Sequence, residues 1–291
     1  GGAVSILRLA RTGGTPTPIV TNDGTAPDAG YPAWHPDGRC ISFSGDHPSR
    51  DGRSDLKTWC PGSGTRAVLV TDDRDESRSD WHPDGLRIAF ESHPIEARTD
   101  DRSYWDIYVM NADGSAYERL VAADYSSECQ PRWSPDGSRL AFFSYASSGC
   151  LKDGTLRILD LASGAITDIG SNVVGPAAWS PDGRSIIVTA IKDSGPLPGP
   201  GFGPIPTSDP PAVQNKGLYR VDLDLRVLTR LEGLAGGAQS SRKYEWGFGP
   251  SWWGPAPTPT ATPSPTATAT RRSSPTPSAT PTWPGSRCAL P

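Results

Sequence analysis

Two pairs of side chains have the types that could do chemistry: Asp46 with His47, and Glu91 with His93. Imidazole and carboxylate together suit a metal ion or a polar ligand. Asp51, Asp72, Asp73, Asp75, Glu76, Glu96, Asp100 and Asp101 crowd the same stretches. Arg50, Arg53, Arg74, Arg78, Arg98 and Arg102 are interspersed among them. A solvated rim of mixed charge has this composition too. The four residues are therefore read as a ligand- or partner-binding rim, with no metal and no cofactor assigned.

The other histidines belong to a phrase that repeats. It runs Trp34-His35-Pro36-Asp37-Gly38, Trp81-His82-Pro83-Asp84-Gly85, Trp133-Ser134-Pro135-Asp136-Gly137 and Trp179-Ser180-Pro181-Asp182-Gly183, with Trp-to-Trp spacings of 47, 52 and 46. A position that takes either His or Ser is a turn position. Asp37, Asp84, Asp136 and Asp182 recur with the unit, so they are read as turn formers and not as acid–base pairs. No Gly-x-Ser-x-Gly, His-Glu-x-x-His or Gly-x-x-x-x-Gly-Lys occurs. The chain is thus expected not to be an enzyme.

These residues must be held by short strands. Gly 32 and Pro 31 of 291 residues is too many for a helical protein and suits many turns. In each unit the Trp ends one strand and Pro-Asp-Gly reverses the chain, Pro presetting φ and Gly accepting φ > 0. A period-2 strand follows, with Ile41 and Phe43, Ile88 and Phe90, Leu140 and Phe142, or Ile186 and Val188 on one face. A third strand such as Asp106–Met110 and a turn such as Asn111-Ala112-Asp113-Gly114 lead to a fourth. Four antiparallel strands every 40–50 residues describe a β-propeller blade. The fold class is all-β: four full blades plus a composite or incomplete fifth, or a truncated six-bladed ring. Residues 4–20 supply only third and fourth strands of the fifth blade, and Pro250-Ser251-Trp252-Trp253 only a first. Trp34, Trp81, Trp133, Trp179 and Trp252 are read as packing between blades.

Pro131-Arg132-Trp133-Ser134-Pro135-Asp136-Gly137 and Ile107-Tyr108-Val109-Met110-Asn111-Ala112-Asp113-Gly114-Ser115 resemble the WD40-like (PD40) repeat of TolB-like propellers. The resemblance spans roughly residues 3–254 with motif matches in four units, and it implies a fold more than a function. It also implies another envelope or surface protein as partner. A Pro/Gly-rich insertion at 192–216 stretches the fourth blade. Residues 255–291 form a Thr/Pro/Ser-rich tail expected to be disordered.

The strand map pairs the cysteines. Cys40 opens a second strand and Cys60 closes the third strand beside it, while Cys129 and Cys150 meet at one blade edge. Two disulfides imply an oxidising compartment, and Cys288 is left over. The chain opens on Gly1, so either a signal peptide has been removed or the start is truncated. A net charge of −4 excludes nucleic acid as the obvious partner, and no apolar run is long enough to span a membrane. The resulting expectation is a non-catalytic, exported, protein-binding propeller of TolB type in the periplasm, at the cell surface or secreted. The alternatives are an accessory propeller of a prolyl-oligopeptidase-like peptidase and a polysaccharide-binding module.

Overall fold

The computed structural model describes residues 6–10, 12–20, 29–46, 53–62, 66–68, 74–94, 104–123, 125–146, 150, 154–190, 217–224 and 227–231. His47, the 192–216 insertion, the 250–253 strand and the 255–291 tail lie outside them. All described residues belong to one compact unit, Gly1–Ala256. They contain strands and no helix.

The strands are β1 (Ile6–Arg8), β2 (Thr17–Val20), β3 (Gly30–Trp34), β4 (Ile41–Asp46), β5 (Ser54–Trp59), β6 (Arg66–Val68), β7 (Arg74–Trp81), β8 (Arg87–Pro94) and β9 (Asp106–Asn111). They continue with β10 (Glu118–Val121), β11 (Ser127–Trp133), β12 (Arg139–Tyr145), β13 (Gly154–Asp160), β14 (Ile166–Trp179), β15 (Ser185–Ala190), β16 (Gly217–Asp222) and β17 (Val227–Arg230). Strands β3 to β6 form one antiparallel blade and β7 to β10 a second. Blades three and four share a seven-stranded sheet because the 14-residue β14 serves both. Its first half pairs with β13 and its second half with β15. The two-stranded β1–β2 sheet precedes them. The architecture is a β-propeller.

Among the described residues the first three blades each lie between two neighbouring sheets, so both faces of their middle strands are apolar and the period-2 pattern sorts side chains between neighbours. Ile88 and Phe90 pack with Leu56 of the first blade, whereas Ala89 packs with Trp133, Leu140 and Phe142 of the third. Ala141 and Phe143 then turn toward Trp179, Ile186 and Val188 of the fourth. Ile6 and Val20 of the β1–β2 sheet meet Ile41 and Phe43 in the same way. The core is therefore a row of inter-blade layers.

The repeated turn closes each first-to-second strand connection. The Gly137 N–H donates to the Ser134 carbonyl at 2.8 Å, and Gly137 has φ +71°. The turn aspartate accepts the N–H two residues on, from Arg39, Leu86, Ser138 and Arg184 at 2.8–3.1 Å. The turn also couples blades. His35 stands edge-on to Trp81 of the next blade, ring centroids 4.6 Å apart, with Nε2 3.2 Å from the Gly85 carbonyl. His82 repeats this on Trp133 and Gly137, at 4.7 and 3.2 Å. Ser134 is too short to reach. There Arg139 takes over, its guanidinium 4.8 Å over Trp179 and its Nη2 donating to the Gly183 carbonyl at 2.7 Å. The histidines that read as turn residues are latches between blades.

The structure joins Cys40 to Cys60 and Cys129 to Cys150, with Cα separations of 4.3 and 6.1 Å. The first bridge flanks the Ile41–Trp59 pair of β4 and β5, as the strand map placed it. Each bridge closes a loop of 20 or 21 residues. Loops of that size stabilise a chain by about 3 kcal/mol each. Reduction is therefore expected to lower the urea midpoint, at a cost of roughly 2–4 kcal/mol per bridge. An unchanged midpoint after all thiols are reduced and trapped would contradict this.

Candidate functional site

The first strands of successive blades, β3, β7, β11 and the second half of β14, lie side by side. Each carries a β-bulge three residues before its Trp. Tyr31, Arg78 and Gln130 hold φ of 52°, 45° and 58° there, and the ladder slips at 30/33, 77/80 and 129/132. The fourth blade has the Gly175–Pro176 peptide, in cis, at the same offset. Bulges re-aim side chains and are frequent near functional positions. Here they form a chain of contacts from blade to blade. The Arg78 guanidinium lies 4.6 Å over the Tyr31 ring, and the Arg78 backbone N–H donates to Ser44 Oγ at 3.3 Å. Arg78 also forms an ion pair with Glu91 Oε1, and the Gln130 N–H donates to Glu91 Oε2 at 2.9 Å. A Cβ on Gly175 would run into Gln130 Oε1, so only glycine fits against that bulge.

Above the bulges, at the strand ends away from the Pro-Asp-Gly turns, six carboxylates are buried. They are Asp55 on β5, Asp75 and Glu76 on β7, Glu91 on β8, Asp106 on β9 and Glu128 on β11. Asp75 stands 3.4 Å from His93 Nε2, and the His93 ring packs edge-on to Trp105 with centroids 4.3 Å apart. Asp106 Oδ2 lies 3.0 Å from Arg119 Nη2. Glu128 Oε1 accepts from Ser126 Oγ at 2.8 Å and Ser144 Oγ at 2.9 Å, with Arg157 Nη1 at 3.8 Å. Among the described residues, Glu128 Oε2 and Asp106 Oδ1 have no hydrogen-bond partner although both are buried. Such groups are costly, and where they occur they invite a functional explanation.

Burial pushes the Glu128 carboxyl up from its ordinary value, against the Ser126 and Ser144 hydrogen bonds and the Arg157 charge; Asp106 adds to the rise. Burial also raises Asp106, more than Arg119 lowers it. For Arg78 burial is the largest influence and works against the charge, but Glu91 and Tyr31 together outweigh it and hold the guanidinium above its usual value. The arrangement combines anchored ion pairs with two unused acceptor oxygens, and it suits a ligand rich in N–H donors.

The expected rim residues divide here. Asp46 ends β4, where its carbonyl accepts from Lys57 Nζ at 2.6 Å. Glu91 and His93 do not follow the second strand in a loop. They lie within β8, which runs on to Pro94, and both are buried. Arg78 was named only among the arginines of the charged rim, and Asp106, Glu128 and Gln130 were not singled out from sequence. The available signal was the constant offset of Tyr31, Arg78 and Gln130 from the repeated Trp, which shares no residue type. Glu91 also falls with Cys129 and Cys150 within 4.8 Å, but those cysteines form a disulfide.

No protein-family model matches the chain. The uncharacterized peptidase YuxL of Bacillus subtilis is 33% identical over 136 residues, which is 45% of this chain and 19% of that protein. Dipeptidyl-peptidase 5 of Porphyromonas gingivalis is 29% identical over 119 residues, 39% of this chain and 17% of the enzyme. The chain therefore spans about a fifth of the length of the curated relatives it matches. Among solved structures, a TolB from Agrobacterium tumefaciens superposes with TM-score 0.51 at 27% identity over 62% of each chain. TolB of Acinetobacter baumannii gives 0.56 at 17% identity, covering 78% of this chain and 48% of its own. The likeness to TolB is one of propeller fold.

The expectation that the chain is not an enzyme is overturned by these relatives, which are peptidases. The motif search read only a stretch matching about a fifth of them, and a repeated scaffold carries no nucleophile signature of its own.

Glu128 offers a direct test of the buried cluster. A carboxyl raised in the folded state adds stability below its ordinary value of about 4.3 and loses it as pH rises through the folded value. Glu128→Gln is therefore expected to be more stable than the parent at about pH 7, with the gain fading toward about pH 4. Urea unfolding across that range reads it. A gain that grows on acidification would contradict the assignment.

Proposed function

We propose that the chain is the propeller part of an exported peptidase of the prolyl-oligopeptidase-like kind, built on WD40-like (PD40) repeats. The carrying observation is that both curated relatives are peptidases, matching over 136 and 119 residues. The two disulfides support export, because such bridges persist in oxidising compartments. In this reading the buried carboxylate end, opposite the Pro-Asp-Gly turns, receives N–H groups of a peptide at Glu128 Oε2 and Asp106 Oδ1. The full-length gene product is expected to cleave dipeptidyl or longer peptidyl nitroanilides and to react with a fluorophosphonate. Glu128→Gln is expected to raise KM more than it lowers kcat. Absence of both hydrolysis and labelling would overturn the reading.

The 27% identity to the Agrobacterium TolB supports a second reading, in which the propeller holds an envelope protein. Retention of one envelope protein by the purified propeller, with no peptidase activity in the full-length product, would favour it.

A further inference from the structure

Glu91 of the second blade converges with Cys129 and Cys150, which the third blade bridges. One Glu91 carboxylate oxygen and the two Sγ atoms all lie within 4.8 Å of one another. The three residues are 0, 0 and 7% exposed, and Phe143, Tyr145 and Val173 pack in the same cluster as the cysteines. Glu91 is held from two sides. Arg78 pairs with Oε1, and the N–H of Gln130, the residue after Cys129, donates to Oε2 at 2.9 Å. Each carboxylate oxygen accepts more than one bond, so these contacts leave coordinating capacity beside the sulfurs. The other bridge has no such companion. Among the described residues, no third Asp, Glu or His groups in this way with Cys40 and Cys60.

We propose that Glu91, Cys129 and Cys150 form a site for a thiophilic divalent cation of the zinc type whenever the Cys129–Cys150 bridge is open. Two thiolates and a carboxylate are ligands that zinc takes, at about 2.3 Å for sulfur and about 2.0–2.2 Å for oxygen. Ligand atoms arranged tetrahedrally at those lengths stand about 3.4–3.8 Å apart. The three atoms already lie within that reach of each other, so opening the site needs the two sulfurs to separate and little else. Arg78 and Gln130 then hold the ligating carboxylate in place, as outer partners of metal ligands do.

The chain carries the two thiols before the bridge forms, and a phosphine reductant regenerates them. Phosphorus attacks one sulfur, the S–S bond breaks, and water supplies the oxygen of the phosphine oxide and the protons of both thiols. Cation binding then releases those two protons to solvent. Bridge and cation exclude each other, because both need the same sulfur atoms. The cation would thus delay closure of this bridge and leave the Cys40–Cys60 bridge free to form. The site stands independently of the peptidase reading.

The test uses the full 291-residue chain carrying Cys288→Ser, reduced with a phosphine in mild urea and desalted without oxygen. One equivalent of cobalt(II) is expected to give sulfur-to-cobalt charge transfer and tetrahedral visible bands, and zinc(II) to displace it. Alkylation by iodoacetamide, read by mass spectrometry at each cysteine, locates the ion. One equivalent of zinc is expected to slow reaction at Cys129 and Cys150 by roughly tenfold or more, with Cys40 and Cys60 unchanged. Glu91→Gln is expected to bind cobalt about tenfold more weakly or worse. Protection shared equally by all four cysteines, protection confined to Cys40 and Cys60, or none at all overturns the proposal. So does equal cobalt affinity in a folded Glu91→Gln. Should Glu91→Gln fail to fold, the alkylation pattern of the parent decides alone: selective protection of Cys129 and Cys150 supports the site, and any other pattern overturns it.

Discussion

The carboxylate of Glu91 is the point on which the described blades depend. It is fully buried on β8 of the second blade. One oxygen is paired with Arg78, whose side chain is carried to the first blade by the bulge on β7, where it stacks on Tyr31. The other oxygen accepts the N–H of Gln130, on the bulge of the third blade. One side chain thus ties three blades. A buried pair of this kind adds little net stability over an apolar substitute, but removing one partner leaves an uncompensated charge and costs about 3–5 kcal/mol. Its role is to fix the angle and register at which neighbouring sheets meet.

The two ends of the propeller use polar groups in opposite ways. At the Pro-Asp-Gly end the turn aspartates are satisfied by N–H groups two residues on and the histidines by the next blade's glycine. At the other end Glu128 and Asp106 keep buried oxygens unmatched among the described residues, and burial raises both carboxyls. A scaffold has no use for that cost. The proposed binding end is the one with the unmatched oxygens, away from the repeated phrase.

The fold was legible because its signal repeats. Four occurrences of Trp-x-Pro-Asp-Gly determine turn, strand polarity and blade length together, and the same map paired Cys40 with Cys60 and Cys129 with Cys150. The site was less legible, for physical reasons. Glu91 and His93 read as a loop rim because charged residues ordinarily end a strand, whereas β8 continues to Pro94 with Glu91 paired to Arg78 and His93 held beside Asp75. The bulge residues escaped notice because a left-handed backbone at Tyr31, Arg78 and Gln130 has no residue signature, none being Gly or Asn. His35 and His82 were assigned to turns correctly, but their reach to the next blade depends on a neighbour about 50 residues away.

Hydrogen exchange of Glu91→Gln against the parent tests the central claim most directly. If Glu91 ties three blades, the substitution will reduce amide protection in β3, β7 and β11 together, by amounts that approach the global loss of stability. Loss confined to β7 and β8, with β3 and β11 as protected as in the parent, would contradict it. The blades would then be joined by their apolar layers and the turn latches, without Glu91.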